Sequence, residues 1–469
     1  MLFNSGHFLL YMPIVIGLYF LFPQRFRWAF LLAASYYFYM CWRWEYTILI
    51  VASTLTDYAV AIKIEDAEGD VKKRRWILVS LLLNLSLLFT FKYANFALDT
   101  ANHLMELAHV GYSFKLLEIA LPVGISFYTF QSLAYTIDVY RGETKAERHL
   151  GIFALFVVFW PQLVAGPIER SKHLLPQFRK HFRFDHERTV YAINKIAYGF
   201  FKKVVVADRL AVYVNEVYGH VDDYSALPLV LASVFFAFQI YCDFSGYTDI
   251  AIGCAAIMGF SLMENFDRPY LASSITSFWR RWHISLSTWF KDYVYIPLGG
   301  NRTVKWRWYY NLFLTFLLSG IWHGANWTFV AWGAWHGALL VVERISEQAR
   351  QRFVSWVGQR VGHALGVVAT FSLVVVGWVF FRAANMQDAM VVFGKIFSLQ
   401  IDWNLSMLMA QNGPYNFLMS VLAIGLLLLS YFLPKDLKFK RNFAFAIALT
   451  ILILIMGKGG NGEFIYFQF

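Results

Sequence analysis

Two histidines of this chain stand among aromatic residues and not in polar runs. His323 lies inside the apolar stretch 309–342, in Leu318-Ser319-Gly320-Ile321-Trp322-His323-Gly324-Ala325-Asn326-Trp327. His283 lies in Phe278-Trp279-Arg280-Arg281-Trp282-His283-Ile284-Ser285-Leu286-Ser287-Thr288-Trp289-Phe290-Lys291-Asp292-Tyr293. An imidazole titrates near neutrality, so either ring can take or deliver a proton in a reaction. Taken alone, His323 reads more simply as a hydrogen-bonded core histidine. His336, thirteen residues further on, is more than three helical turns away and is read as structural. Two carboxylates, Asp243 and Asp249, fall with Ser245 in the apolar run Tyr241-Cys242-Asp243-Phe244-Ser245-Gly246-Tyr247-Thr248-Asp249. Ionisable groups at such positions are costly and mark functional sites, although a structural or tunnel-lining role is favoured here over direct chemistry. Arg280, Arg281, Lys291, Arg302 and Lys305 flank the second histidine motif. Their heads suit lipid headgroups or the phosphates of a donor. His283, His323, His336 and Asp243 show neither HxxxH nor HxH spacing, so no metal site is expected. Neither a GxSxG nucleophile elbow nor a P-loop occurs.

The elements that must hold these groups are apolar. Hydrophobic residues make up 58% of the chain and charged residues 15%. A soluble domain runs near a quarter charged, so a water-facing surface cannot be built at this length. Apolar blocks near 7–22, 28–42, 46–62, 77–98, 117–139, 151–166, 190–207, 227–260, 309–342, 364–381, 415–433 and 443–457 predict an all-α polytopic membrane protein with about twelve crossings. The 46 Phe, 27 Tyr and 17 Trp suit interfaces and an internal cavity. Cys41, Cys242 and Cys254 carry no disulfide or metal spacing and read as small apolar residues. The net charge of +11 fits basic cytoplasmic loops better than nucleic acid. Residues 1–22 lack a basic leader and a small-residue cleavage site, so this block is expected to stay as a helix. The loops with Arg25 and Arg27, with Lys72 to Arg75, and with Lys435, Lys438, Lys440 and Arg441 place both chain ends outside if all three loops are cytoplasmic. The stretch 278–293 is too polar for a lipid-facing span and too aromatic for a solvated loop, which predicts a re-entrant or in-plane helix. The whole chain, 1–469, reads as one membrane domain.

Trp279 to Ser287, Gly320 to Asn326 and Tyr241 to Asp249 closely resemble the membrane-bound O-acyltransferase (MBOAT) family. Pro122 to Phe130 and Ala165 to Ile168 fit the bacterial branch that O-acetylates exopolysaccharides. The resemblance runs through almost the whole chain, with a signature core at about 120–345. It implies an MBOAT-like ring of tilted helices around a transmembrane tunnel, with re-entrant or in-plane helices. It implies that His323 is the catalytic histidine and that His283 occupies a second signature position. Asp243, Ser245, Arg280, Arg281, Trp282, Lys291 and Asn326 become candidates for lining the tunnel or binding the donor. That donor would be acetyl-CoA or an acyl carrier protein, with no bound cofactor. The acceptor would lie outside the bacterial inner membrane, reached through an extracytoplasmic acetyltransferase partner with a serine nucleophile in a polysaccharide secretion complex. Alginate and cellulose both fit as polymers. A thioester needs only an aligned hydroxyl and a base to take its proton, so the two histidines suffice without a metal. The tail 462–469, Gly-Glu-Phe-Ile-Tyr-Phe-Gln-Phe, resembles aromatic motifs of this branch. It offers Tyr466 as an acyl relay, or else an interfacial anchor or docking peptide. A transporter or flippase, an acyltransferase acting on a lipid or protein, and a secretion scaffold are the rival classes.

Overall fold

The computed structural model describes residues 1–398, 404–409, 413–439, 442–458 and 464–465. Among the described residues the only regular secondary structure is helix. Lipid leaves no other way to satisfy backbone polar groups within each apolar block. Among the described residues, five helices are long and apolar enough to cross a membrane: Trp44–Asp66, Asp70–Leu107, Ala226–Met258, Gln359–Arg382 and Gly413–Phe432. Gly6–Leu21 and Ala444–Met456 are shorter apolar helices. The protein is an all-helical, multi-pass membrane protein. Several blocks expected to cross whole are interrupted. The run 117–139 becomes helical only from Ile125. The run 190–207 loosens into a π-helix at Phe201–Ala207. The run 309–342 breaks into Lys305–His323 and Trp327–Ile345.

The chain divides into two compact units, 1–192 with 251–263, and 193–250 with 264–469. In the first unit, Thr47–Asp66, Asp70–Leu88 and Ile125–Tyr140 close around the fully buried Asp57. Ser80 Oγ donates to its Oδ1 at 2.6 Å, and Asn84 Nδ2 lies 3.0 Å from both carboxylate oxygens. Ser53 Oγ donates to Asn84 Oδ1 at 2.7 Å, and Ser80 meets Thr136 at 3.2 Å. Ser80 and Asn84 are one helical turn apart, so a single helix face supplies both main donors. Further along this unit the carboxylate of Glu169, buried completely, meets His173 Nδ1 at 2.8 Å. That contact raises His173 above the ordinary histidine range.

In the second unit, residues 226–250 of the helix Ala226–Met258 run against the segment 199–203. A Cβ at Gly199 would lie 2.6 Å from the carbonyl oxygen of Gly246, so only glycine permits this approach. The close fit brings lysines of one segment to carboxylates of the other. Lys202 Nζ lies 2.5 Å from Asp249 and donates to Ser245 Oγ at 3.1 Å. Lys195 reaches Asp249 at 3.3 Å and Glu264 at 2.5 Å. Lys203 stands between Asp243 at 2.7 Å and Asp208 at 2.8 Å. Buried charges held in pairs are the form in which an apolar bundle tolerates them.

Candidate active site

His323 is the last residue of Lys305–His323. The chain turns there through Gly324 to Asn326 and returns as Trp327–Ile345. Small residues let the two helices of this hairpin pack backbone to backbone. A Cβ at Gly320 would collide with the carbonyl oxygen of Phe329 and lie 2.8 Å from Gly333 Cα. Asn326 fixes the turn: its Oδ1 accepts from Thr328 N at 3.0 Å and its Nδ2 donates to Ala384 O at 3.0 Å. The His323 ring is buried, edge-on to Trp332 at 4.9 Å and to Phe381 at 5.5 Å between centroids.

His283 is fixed by a different device. It precedes Ile284–Phe290 with φ +43°, in the left-handed region that a non-glycine residue rarely enters. Asn265 holds the strained turn from the other side. Its backbone oxygen accepts from Ile284 N at 2.9 Å, and its Oδ1 accepts from Ser285 N at 3.1 Å. The ring is fully buried, edge-on to Phe244 at 4.6 Å and 6.4 Å from Trp322. Trp322 also lies 4.9 Å from His323, so one indole bridges the two histidines. Strain of this kind persists only where the surroundings over-determine it, and it concentrates at functional sites.

A cavity of about 470 Å³ opens beside them between Ile275–Trp279, Ile284–Phe290 and the hairpin helices. Arg280, Lys291 and Arg344 bring three cationic heads to its wall, and Thr276, Ser287, Thr288, Thr315 and Ser319 bring hydroxyls. Its inner wall is Trp279 and Phe316. Trp279 meets Trp332 at 5.6 Å, and Trp332 meets His323 at 4.9 Å, so two indoles in series lead from the cavity to that histidine. Ser319, one turn before His323 on the same helix, lines the cavity directly. The size and lining suit part of an elongated anionic ligand. Among the described residues, no three histidine, cysteine or acidic side chains gather as a metal-ligating group.

A model of the membrane-bound O-acyltransferase family matches residues 31–385, a span that takes in both histidines and the cavity. The chain belongs to the membrane-bound O-acyltransferase family. It is 44% identical over 412 residues to a Pseudomonas putida protein named "probable alginate O-acetylase", covering 87% of this chain and 82% of the relative. A Pseudomonas aeruginosa protein of the same name is 43% identical over 434 residues, covering 92% and 80%. A Helicobacter pylori peptidoglycan O-acetyltransferase is 37% identical over 398 residues, covering 79% and 73%. Acyl transfer is therefore the chemistry of this chain.

For this acyltransferase the residues singled out in the sequence fall into three groups. Arg280 and Lys291 line the cavity, whereas His283 and His323 stand outside its lining and meet through Trp322. Trp282 is core, packed against Phe266, Phe278 and Trp378, and Asn326 is a helix cap. Arg281 gives its backbone oxygen to Asp267 N at 3.0 Å and does not line the cavity. Asp243, Asp249 and Ser245 belong to the buried lysine clusters. Tyr466 lies outside the described residues. Sequence reasoning passed over Lys195, Lys202, Lys203 and Arg344. The two adjacent lysines within the apolar run 190–207 carried the same signal as Asp243, a charge where lipid or core is expected.

Proposed function

We propose that this acyltransferase takes an acetyl group from cytoplasmic acetyl-CoA and passes it across the inner membrane, for O-acetylation of an exopolysaccharide such as alginate. The observation that carries this reading is the three-cation cavity, linked to His323 through Trp279 and Trp332. Arg280, Lys291 and Arg344 receive phosphates of the donor, and the thioester reaches inward past Trp279. Likeness to alginate O-acetylases over most of the chain supports a polysaccharide as the final acceptor.

In the transfer step an acceptor hydroxyl attacks the thioester carbonyl. His323 takes its proton, the new C–O bond forms, the C–S bond breaks, and the proton ends on the departing thiolate. His283 orients the carbonyl and stabilises its developing negative charge. Tyr466 serves as the first acceptor, and an extracytoplasmic partner with a serine nucleophile takes the acetyl group from it. Both chain ends then lie on the outer side. The test is transfer from radiolabelled acetyl-CoA in membranes carrying the parent protein or His323→Ala. Label on protein or acceptor that disappears in the variant is the expected result. Equal labelling in both would make His323 a core histidine and overturn the mechanism. If only acyl carrier protein donates, the donor assignment changes to that carrier.

A further inference from the structure

The buried Lys203–Asp243 pair has a third partner that the transfer step does not use. Asp243 Oδ1 takes Lys203 Nζ at 2.7 Å, while its Oδ2 accepts the backbone N–H of Ile465 at 2.7 Å. Phe464 and Ile465 are both buried. The Phe464 ring carries the Lys203 ammonium 4.3 Å from its centroid and stands edge-on to Tyr247 at 5.3 Å. Asp243 and Tyr247 are one turn apart, so one face of Ala226–Met258 offers a carboxylate to the main chain and an aromatic wall to the side chain. The main-chain bond would form with any residue but proline at 465, and Phe464 supplies the selectivity. Two further ties hold the chain as it leaves Ala444–Met456. Arg209 donates to the backbone oxygen of Met456, and Lys458 N donates to Val204 O at 3.3 Å. The residue after Asp243, Phe244, is the one whose ring meets His283.

We propose that Asp243 is a positioning residue: with Lys203 and Tyr247 it clamps Phe464 and Ile465, so that the chain runs on to Tyr466 from a fixed point on the helical turn that also meets His283. The role in transfer rests on the function proposed above, whereas the clamp itself does not.

The test is thiol accessibility in the full chain in membranes. Ile465→Cys is placed in a Cys41→Ser background, labelled with a maleimide and mapped by mass spectrometry. Native Cys242 and Cys254 are buried and report whether the bundle stays closed. The thiol introduced at position 465 is expected to label about tenfold faster with Asp243→Leu than with Asp243 intact, the effect of losing one buried hydrogen bond. Asp243→Asn keeps an acceptor oxygen and should fall between. Where the leucine variant also exposes Cys242, Phe464→Ala decides, because it leaves the ion pair whole and should free the introduced thiol alone. Equal labelling of that thiol in every background overturns the clamp. In the same membranes, acceptor labelling should fall with Phe464→Ala while acetyl-CoA hydrolysis continues. A freed thiol at position 465 with unchanged acceptor labelling overturns the positioning role. Where the parent transfers nothing at all, the proposed function fails and the clamp is judged on thiol labelling.

Discussion

Asp57 and Asp243 are both carboxylates buried in helices apolar enough to cross a membrane, and the chain satisfies them in opposite ways. Asp57 is wrapped by neutral donors, Ser80 and Asn84, from a neighbouring helix. Asp243 faces a lysine and, through it, a second carboxylate, Asp208. Neutral donors tie helices together by hydrogen bonds and bring no counter-charge to the carboxylate. Paired charges neutralise one another locally, and each partner must be held in place against a large desolvation penalty. That second arrangement sits in the unit holding the strained His283, the basic cavity and His323. The difference teaches that a buried carboxylate can be satisfied by hydrogen bonds alone, as at Asp57, or by a cation that ties two segments together, as at Asp243.

The contrast can be broken most forcefully at Lys203. Lys203→Met leaves Asp243 and Asp208 facing each other in the core, and should lower stability by about 3–5 kcal/mol. Thermal unfolding in detergent checks this, and an unchanged midpoint would mean the pair is not what holds these segments. Asp57→Leu strands the Ser80 and Asn84 donors and should lower stability by about 1–3 kcal/mol. Transfer per folded molecule should stay at the parent level, and a specific fall in that rate would erase the division between the units. Removing one cavity cation, in Arg344→Ala, should raise the apparent KM for the donor about tenfold with little change in kcat, as loss of one charge-assisted contact does. The smallest effect lies at His173, where the hydrogen bond to Glu169 raises the imidazole. A raised histidine adds stability that is full below its unfolded pKa and disappears as pH climbs through the folded value. His173→Ala should therefore flatten the fall in unfolding midpoint above the ordinary histidine range, and a profile that does not move would remove the contact from the account.

Much of the site could be read before the fold. The histidine motifs and the basic residues beside them stand out by polarity within apolar sequence, and 278–293, expected to be re-entrant or in-plane, runs through the short helices Ile275–Trp279 and Ile284–Phe290 and the turn between them. Asn326, taken from the sequence as a tunnel or donor-binding candidate, is the N-cap of Trp327–Ile345. Other features depend on partners distant in sequence. Lys203 meets Asp243 across 40 residues, and Ile465 meets it across 222, spacings no periodicity encodes. Nor does sequence reveal that His283 is left-handed, because that conformation is imposed by Asn265 from a separate stretch of chain. The apolar blocks located the helices well, but not their interruptions at 201–207 and 324–326, where packing and turn geometry override hydrophobic continuity.

The left-handed backbone at His283 also governs how its imidazole should be interrogated. Alanine would delete the ring yet keep a Cβ in an unfavourable conformation, and glycine would delete the ring while releasing the turn. Either result mixes chemistry with backbone relaxation. Asparagine tolerates this conformation better than most side chains and retains a polar head, so His283→Asn offers the cleanest separation of ring from turn.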